Sequence, residues 1–127
     1  MVYKKEKIKN FSDLIAWQEA HNLALFVYRN TNSFPKDEIF GLTNQMRRAA
    51  VSVTSNIAEG FARNSSKDKS NFYTIARASL AELQSQSVLA RDLGYWNKIT
   101  FIQFAEQSVK VNKLLAGLIK SATNKEK

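Results

Sequence analysis

The sequence of 127 residues contains no cysteine, one histidine, one proline and four glycines. Without cysteine the chain forms no disulfide and no thiolate metal site, which suits a reducing compartment. His21 is not part of a Glu-x-x-His pair, so the di-iron motif of four-helix bundles is absent. No Ser–His–acid set has supporting spacing, and Gly41 and Gly60 are isolated rather than part of a phosphate loop. We therefore expect a protein that is not an enzyme, with no catalytic residues, metal ligands or cofactor.

Long apolar runs are also missing from the sequence. No run approaches the roughly 20 residues that a membrane helix needs, and the basic N-terminus lacks the apolar segment of a signal peptide. We therefore expect a cytoplasmic protein without a membrane segment. The length suits a single domain with one core, and the scarcity of glycine and proline predicts long helices.

The formal net charge of +8 lies mostly at the two ends of the sequence. Residues 1–10 contain four lysines and one glutamate, and residues 95–127 contain six lysines and two glutamates. The stretch between them is nearly neutral. A charge of this kind favours an acidic partner, such as nucleic acid or an acidic protein.

Apolar side chains recur at helical spacing in four stretches, which predicts four helices. The first helix begins at the N-cap region Phe11-Ser12-Asp13 and ends near residues 30–32, because Pro35 disfavours helix at the residue before it. Its predicted buried face is made of Leu14, Trp17, His21, Ala24, Leu25 and Tyr28. The predicted inner seam of the second helix is Leu42, Met46, Ala49, Val53, Ile57 and Gly60. The seam of the third helix is Phe72, Ala76, Ser79, Leu80, Leu83, Ser87, Ala90 and Leu93, and that of the fourth is Phe101, Phe104, Ser108, Val111, Leu115, Leu118 and Ala122.

Capping residues separate the later helices. Ser65 with Asp68 resembles a capping box before the third helix, Gly94 is predicted to follow its C-terminus, and Asn97 to cap the fourth helix. Four helices with short connections predict an all-α, antiparallel up-down-up-down four-helix bundle. The chain is expected to divide into a basic flexible arm, the bundle domain and a short basic tail, at residues 1–10, 11–122 and 123–127.

That topology brings the start of the first helix, the turn between the second and third helices and the end of the fourth helix to one end of the bundle. This end gathers the N-terminal lysines, Arg63, Lys67, Lys69, Lys120, Lys125 and Lys127. Charges at the opposite end nearly cancel. The candidate phosphate-binding residues are therefore Arg63, Lys67 and Lys69, together with Lys110, Lys113 and Lys120 on one outer stripe of the fourth helix.

The segment Ser65–Lys69 has two interpretations. Free amides at the start of the third helix, flanked by Arg63 and lysines, would suit a bound phosphate. The same residues would equally form a solvated helix cap.

A polar stripe on the second helix, beside its apolar seam, consists of Arg48, Ser52, Asn56, Glu59 and Arg63. A turn near residue 65 sets the first three opposite Glu82, Ala78 and Thr74 of the third helix. The stripe is either a polar cleft that binds a ligand or the site of an ion pair between Arg48 and Glu82 that fixes the helix register. We favour the ion pair, which predicts a loss of roughly 3 kcal/mol for Arg48→Ala if Glu82 is left buried and unpaired.

Four aromatic residues lie outside the predicted seams: Phe40, Phe61, Tyr73 and Trp96. They would suit stacking against nucleic-acid bases and would equally fill a subunit interface, which we favour because a domain that exposes several such rings tends to associate. His21 is expected to be a core or interface histidine.

A family resemblance is carried by the motifs Phe11-x-Asp13-Leu14-x-x-Trp17-Gln18, Phe34-Pro35-x-x-Glu38-x-x-Gly41-Leu42, Gln45-x-Arg47-Arg48-Ala49, Ser52, Asn56-Ile57-Ala58-Glu59-Gly60 and Leu80-x-Glu82-Leu83. They resemble the bacterial four-helix bundle proteins encoded in intervening sequences of 23S ribosomal RNA. The resemblance runs from Phe11 to about Ile119 and implies a cytoplasmic bundle that assembles as a homopentamer. The accessory variability determinant of diversity-generating retroelements is similar in fold, and it is a basic pentamer that works with a reverse transcriptase and template RNA. Two departures from the family pattern are Ala78, where glycine is common, and Ser87, where an apolar residue is common.

The residues and the resemblance together predict a non-enzymatic, homo-oligomeric protein that binds nucleic acid, RNA rather than DNA, through basic surfaces. A pentamer is the expected assembly, and a reverse transcriptase is a candidate protein partner. The alternative is a protein-interaction scaffold or adaptor that docks an acidic partner.

Overall fold

The computed structural model describes residues 7–124, which form four α-helices and two short 3-10 turns. The helices are α1 (Ile15–Thr31), α2 (Leu42–Ala62), α3 (Ser66–Asp92) and α4 (Lys98–Asn124), and the 3-10 turns are Phe11–Asp13 and Lys36–Glu38. No strand occurs in this part of the chain. Each helix packs against the two that neighbour it in the order α1, α2, α3, α4 and back to α1. The predicted all-α four-helix bundle is confirmed.

Contacts at both ends of the bundle fit the antiparallel up-down-up-down order. At one end the Trp96 indole N–H donates to the Asn30 carbonyl oxygen at 2.7 Å, which ties the α3–α4 connection to the end of α1. The Tyr95 hydroxyl donates to a carboxylate oxygen of Glu38 at 2.9 Å, which ties it to the α1–α2 connection. We call this the aromatic end. At the other end, Ile8 and Leu118 line one cavity with the α2–α3 junction, and we call this the basic end.

Three of the predicted capping residues occupy cap positions. The Ser65 hydroxyl accepts from the Asp68 amide at 3.1 Å, and the Asn97 side chain accepts from the Thr100 amide at 2.8 Å. Gly94 follows the end of α3 with a φ of 78°, in the left-handed region that favours glycine. These local sequence signals set where the helices begin and end.

The start of the bundle differs from the prediction. Asn10, rather than Ser12 or Asp13, is the N-cap of a 3-10 turn, and α1 begins only at Ile15. The Asn10 side chain accepts from the Ser12 amide, while the Asp13 carboxylate accepts from the amides of Lys9 and Asn10. The two amide hydrogen bonds lower the pKa of Asp13. Asn10 is therefore part of the folded domain instead of the predicted arm.

The remaining predictions for the ends fall partly outside the described residues. Residues 1–6 of the predicted arm and residues 125–127 of the predicted tail lie there. Helix α4 continues to Asn124, beyond the predicted domain boundary at residue 122.

The predicted seams of α2, α3 and α4 supply most of the core. Every predicted inner residue of α2 is buried, from Leu42 to Gly60. On α3 and α4 the predicted residues are buried or partly buried except Leu93, which is half exposed at the end of its helix. Ser87, a departure from the family pattern, is buried and donates to the Gln84 carbonyl oxygen at 2.6 Å. A local hydrogen bond therefore satisfies its hydroxyl without a packing partner from another helix.

The predicted buried face of α1 is wrong for three of its six members and correct for Leu14 and Ala24. The residues of α1 that are buried are Ala16, Ala20, Leu23, Ala24, Val27 and Thr31. The exposed residues His21, Leu25 and Tyr28, with the partly buried Trp17, lie on the side that we call the outer face of α1. His21 is therefore not a core histidine, and its ring stacks on Trp17 with centroids 4.8 Å apart. The alanines allow α1 to approach its neighbours closely, and the larger rings are left outside.

Candidate nucleic-acid interface

The basic end carries exposed lysines from three segments of the chain. Lys67 is exposed in the first turn of α3, and Lys120 is exposed near the end of α4. Lys7 and Lys9 are exposed before the 3-10 turn Phe11–Asp13. None of the four forms a salt bridge within residues 7–124. Their charges are therefore available to an anionic partner.

Lys69 serves the fold rather than the surface. Its ammonium group donates to the Phe61 carbonyl oxygen at 2.7 Å and approaches the Gly60 carbonyl oxygen at 3.4 Å. It also lies over the Phe61 ring, 5.2 Å from the centroid. The last carbonyls of a helix attract a cation through the helix dipole. Lys69 thus caps the C-terminus of α2, and this role is separate from the phosphate contact predicted for it.

Arg63 is paired but remains at the surface. It forms a 2.7 Å salt bridge with Glu59, one turn earlier, and its guanidinium lies 4.6 Å from the centroid of the Phe72 ring. Both members of the salt bridge are about half exposed. Surface pairs of this kind contribute only about 0–1 kcal/mol, so a phosphate can replace Glu59 at little cost.

The three lysines predicted on one stripe of α4 differ in their surroundings. Lys110 lies 3.4 Å from a carboxylate oxygen of Glu19 on α1. Glu19 also accepts from Gln107 at 2.9 Å, and this hydrogen bond, followed by the charge of Lys110, lowers the pKa of Glu19. Lys113 and Lys120 are exposed, two helical turns apart, and form no salt bridge with the described residues. The lysines of this stripe without a salt bridge are therefore Lys113 and Lys120, which lie nearer the basic end than Lys110.

The start of α3 favours the cap interpretation over a phosphate site. The Ser65 hydroxyl already occupies the Asp68 amide. The Asp68 carboxylate lies in the first turn and supplies the negative charge that the helix dipole favours there. A phosphate at this position would meet that carboxylate.

The polar stripe of α2 contains no ion pair between Arg48 and Glu82. Both side chains are exposed, and no salt bridge joins them in the described part of the chain. The hydroxyls of Ser52 and Ser79 lie 2.7 Å apart, so the register is one residue from the predicted pairing of Ser52 with Ala78. Asn56 donates to the Ser52 carbonyl oxygen at 2.8 Å. The Ser52–Ser79 hydrogen bond joins α2 to α3, and the Asn56 bond lies within α2, while Arg48 and Glu82 line an open groove.

Only one of the four aromatic residues outside the predicted seams is fully accessible. Tyr73 and Trp96 are buried in the core, and Phe61 is half buried beside it. Phe40, by contrast, is 94% exposed at the start of α2. Of these four rings, Phe40 is therefore the one that is accessible for stacking against a base.

Sequence reasoning missed several residues that the structure brings together. Asn44 and Gln45 line the α2–α3 groove with Phe40, Arg48 and Glu82, which the sequence analysis had named. Their signal was available, because Asn44, Gln45 and Arg48 lie within about one helical turn of one another. The sequence places Gln86 one turn after Glu82, and the structure adds that Gln86 is buried.

Comparison with known proteins identifies the family of this fold. Residues 12–117 match the 23S rRNA-intervening sequence proteins. The chain belongs to this family. Among curated proteins none matches the sequence.

The 23S rRNA-intervening sequence fold is also found in a solved structure. This is a protein of unknown function from the S23 ribosomal protein family, from Bacteroides thetaiotaomicron VPI-5482, with a TM-score of 0.75. The two sequences are 22% identical, and the match covers 84% of this chain and 99% of the other. At that identity the likeness concerns the fold alone.

Residues 7–124 contain neither a membrane-spanning helix nor a metal-binding cluster. No helix there is both long and apolar enough to cross a membrane. No group of three or more His, Asp or Glu side chains is arranged to hold a metal ion. The basic surfaces and the α2–α3 groove are the features of this region that point to a ligand.

Proposed function

We propose that this chain is a non-enzymatic RNA-binding protein of the cytoplasm that holds phosphate groups with lysines at the basic end and along α4. The observation that carries the proposal is the exposure of Lys67, Lys113 and Lys120 without salt bridges, in a chain with a formal net charge of +8. Arg63 also contributes, by exchanging its salt bridge with Glu59 for one with a phosphate. When unpaired cations of this kind bind a polyanion, counterions are released from it, and this release supplies most of the sequence-independent affinity.

Two features favour RNA over DNA as the polyanion. The family is named for intervening sequences of 23S rRNA, which associates its members with an RNA. The second feature is general: duplex DNA is read by a helix or strand that places several side chains in the major groove. A structured or single-stranded RNA needs no such helix, since its backbone and unpaired bases are directly accessible.

We also propose that the chain assembles with copies of itself, as the pentamer that its family resemblance implies. The outer face of α1 supports this, because Trp17, His21, Leu25 and Tyr28 form a continuous stripe of large, mainly apolar side chains beside α2. Such a stripe is typical of an interface. Five copies would bring the formal charge to about +40, five times +8, and would make RNA binding strongly dependent on salt.

Light scattering coupled to size-exclusion chromatography tests the assembly. A pentamer of the 14.4 kDa chain has a mass of about 72 kDa, five times the single-chain value. Leu25→Lys is expected to lower the mass, because it places a charge in the proposed interface. Ile99→Lys, at an exposed position near the aromatic end of α4, is the matched control and should leave the mass unchanged. A wild-type mass equal to one chain contradicts the assembly.

Fluorescence anisotropy with a labelled RNA tests the phosphate contacts. The triple variant Lys67→Gln, Lys113→Gln, Lys120→Gln is compared with Arg29→Gln, Lys36→Gln, Lys98→Gln, which removes the same charge near the aromatic end. We expect the first set to weaken binding by at least tenfold more than the second, because only the first removes the proposed contacts. Equal losses in the two variants would mean that net charge, rather than this surface, governs binding.

A scaffold that docks an acidic protein is the second candidate function, and the exposed apolar side chains of the outer face of α1 favour it. A reverse transcriptase is one candidate for the partner. Recovery of the complex from the native host with and without nuclease separates the two functions. A partner that remains after nuclease treatment supports the scaffold, and one that is lost supports RNA binding.

A further inference from the structure

The groove between α2 and α3 is separate from the lysines of the proposed phosphate surface. It has a volume of about 430 Å³ and is lined by Phe40, Asn44, Gln45, Arg48, Ala49, Ser52 and Glu82. Its lining on α2 comes from the half of that helix nearer the aromatic end. A volume of this size lies within the range of about 300–1,000 Å³ that small-molecule sites occupy.

The floor of the groove is fixed and its rim is open. The Ser52–Ser79 hydrogen bond and the buried Ala49 hold the two helices together beneath it. Arg48 and Glu82 stand on opposite sides of the rim, exposed and without a salt bridge in the described region. The groove therefore offers a cation and a carboxylate that do not neutralise each other.

A buried acceptor without a donor lies next to this rim. Gln86 is 9% exposed, and its amide N–H donates to a carboxylate oxygen of Glu82 at 3.3 Å. Its carbonyl oxygen has no hydrogen-bond donor among residues 7–124. The register set by Ser52 and Ser79 brings Gln86 level with Gln45, since each turn back along α2 corresponds to a turn forward along antiparallel α3. This oxygen is itself buried and Gln86 does not line the groove, so Gln86 orients the Glu82 carboxylate and a ligand in the groove contacts Glu82.

The aromatic ring of Phe40 completes the set. At 94% exposure it has no packing role in the bundle, and it lies on the lining of the groove. An exposed ring beside a polar groove is suited to stacking against a flat ligand.

These side chains together select the chemistry of the ligand. The two carboxylate oxygens of Glu82 require hydrogen-bond donors, Arg48 requires an anion or acceptor, and Phe40 requires a flat face. Guanine presents two adjacent donors, N1–H and the 2-amino group, on one edge of a planar ring, and its nucleotide carries a phosphate. Adenine and cytosine place one donor beside an acceptor, and uracil places one donor between two acceptors, which a carboxylate would repel. An arginine of a partner protein would supply donors but would bring a second cation beside Arg48.

We propose that the α2–α3 groove binds a guanine nucleotide, with the base stacked on Phe40, its donor edge on Glu82 and its phosphate on Arg48. In RNA this is an unpaired guanine, bound apart from the lysines that hold phosphates. The RNA form of the site rests on the proposed function. It adds a base-selective site to a protein whose other proposed contacts are with phosphates.

Labelled heptamers of uridine with guanosine, inosine, adenosine or uridine at the centre test the selectivity by anisotropy. Guanosine is expected to bind about tenfold more tightly than uridine, in line with the discrimination of a bidentate base contact. Inosine, which lacks the 2-amino group, should lose most of that preference. Equal affinity for all four heptamers would overturn the guanine site and leave phosphate binding standing.

Two substitutions and their controls locate the site. Glu82→Gln and Phe40→Ala should each abolish the guanosine preference, whereas Glu106→Gln and Ile99→Ala, at exposed positions of α4, should retain it. Glu82→Gln also separates the site from bulk electrostatics, because loss of a negative charge alone would leave RNA binding unchanged or tighter. A guanosine preference that survives Glu82→Gln with unchanged circular dichroism would overturn the proposed role of the carboxylate.

Guanosine 5′-monophosphate distinguishes RNA from a free nucleotide as the source of the base. Chemical shift changes at the amides of Phe40, Arg48 and Glu82, absent with uridine 5′-monophosphate, would support the site. If the mononucleotide binds and no heptamer does, the guanine site stands and the RNA-binding function fails. If neither guanosine 5′-monophosphate nor any heptamer binds, both proposals fail.

Discussion

Gly60 and Gly117 are both glycines inside helices, yet replacing them with alanine should change stability in opposite directions. A Cβ on Gly60 would lie 2.7 Å and 2.9 Å from two ring carbons of Tyr73 and 3.1 Å from Cβ of Phe72. A Cβ on Gly117 would meet nothing within 4 Å. The first glycine is thus required by the close approach of α2 to α3, and the second is not.

The magnitudes follow from two terms. Alanine is favoured over glycine in a helix interior by about 1 kcal/mol, and this gain applies to both sites. Overpacking a buried site costs about 1–3 kcal/mol, and it applies only to Gly60, because Tyr73 is itself buried. We therefore expect Gly117→Ala to raise the free energy of unfolding by up to about 1 kcal/mol. Gly60→Ala should lower it by roughly 1 kcal/mol, the overpacking cost less the helix gain.

Urea denaturation followed by circular dichroism measures both variants, at one protein concentration because self-association would affect stability. The double variant Gly60→Ala, Tyr73→Leu removes the ring carbons that the new methyl meets. Its loss of stability should be smaller than the sum of the two single losses, since the sites are in contact. If Gly60→Ala stabilised the protein as much as Gly117→Ala, the close packing of α2 on Tyr73 would be refuted.

Two further predictions concern paired and unpaired charges. Arg47 donates to Thr31, to Asn32 and to a carbonyl oxygen at the end of α1, so Arg47→Ala should lower the free energy of unfolding by about 2 kcal/mol in urea denaturation. Substitution of the adjacent, exposed Arg48 by alanine should change it by less than about 0.5 kcal/mol. Equal effects would contradict the assigned contacts. The pKa of Glu19 is lowered from its ordinary value of 4.5, so its ionised form stabilises the fold above that pH, and the contribution is lost as the pH falls through the lowered value. Thermal unfolding should therefore lose less stability between pH 6 and about pH 3 in Glu19→Gln than in the wild type, and an identical loss in both would show that Glu19 is not coupled to folding.

Local and periodic signals predicted most of the fold. The seam of α2 was correct at every position, because its apolar residues recur without interruption and most of the residues between them are polar. Cap residues such as Ser65 and Asn97 were also correct, because a cap depends on its immediate neighbours.

The orientation of α1 was not predictable in the same way. Its stripe of alanines and its stripe of rings, led by Trp17 and Tyr28, both recur at helical spacing. A choice between them depends on how closely α2 and α4 approach. That approach is a tertiary property, and small residues such as Ala16 and Ala20 decide it.

The candidate site was only partly predictable because partners across helices depend on exact register. The observed register of α2 against α3 differs by one residue from the predicted one. It brings Ser52 against Ser79, and Arg48 and Glu82 do not form the predicted ion pair. The role of Lys69 depends on the carbonyl groups at the end of α2, which no sequence pattern marks. Charge alone therefore could not distinguish a capping lysine from exposed ones such as Lys67.

The salt dependence of RNA affinity is the most direct test of the central claim that exposed lysines of this surface hold RNA phosphates. The dissociation constant of a single-stranded RNA is measured over a range of salt concentrations for the wild type and for Lys67→Gln, Lys113→Gln, Lys120→Gln. Each phosphate contact contributes about 0.7 to the slope of log affinity against log salt. Loss of three contacts per chain should reduce the slope by about 2 for each chain bound to the RNA. An unchanged slope would contradict the claim.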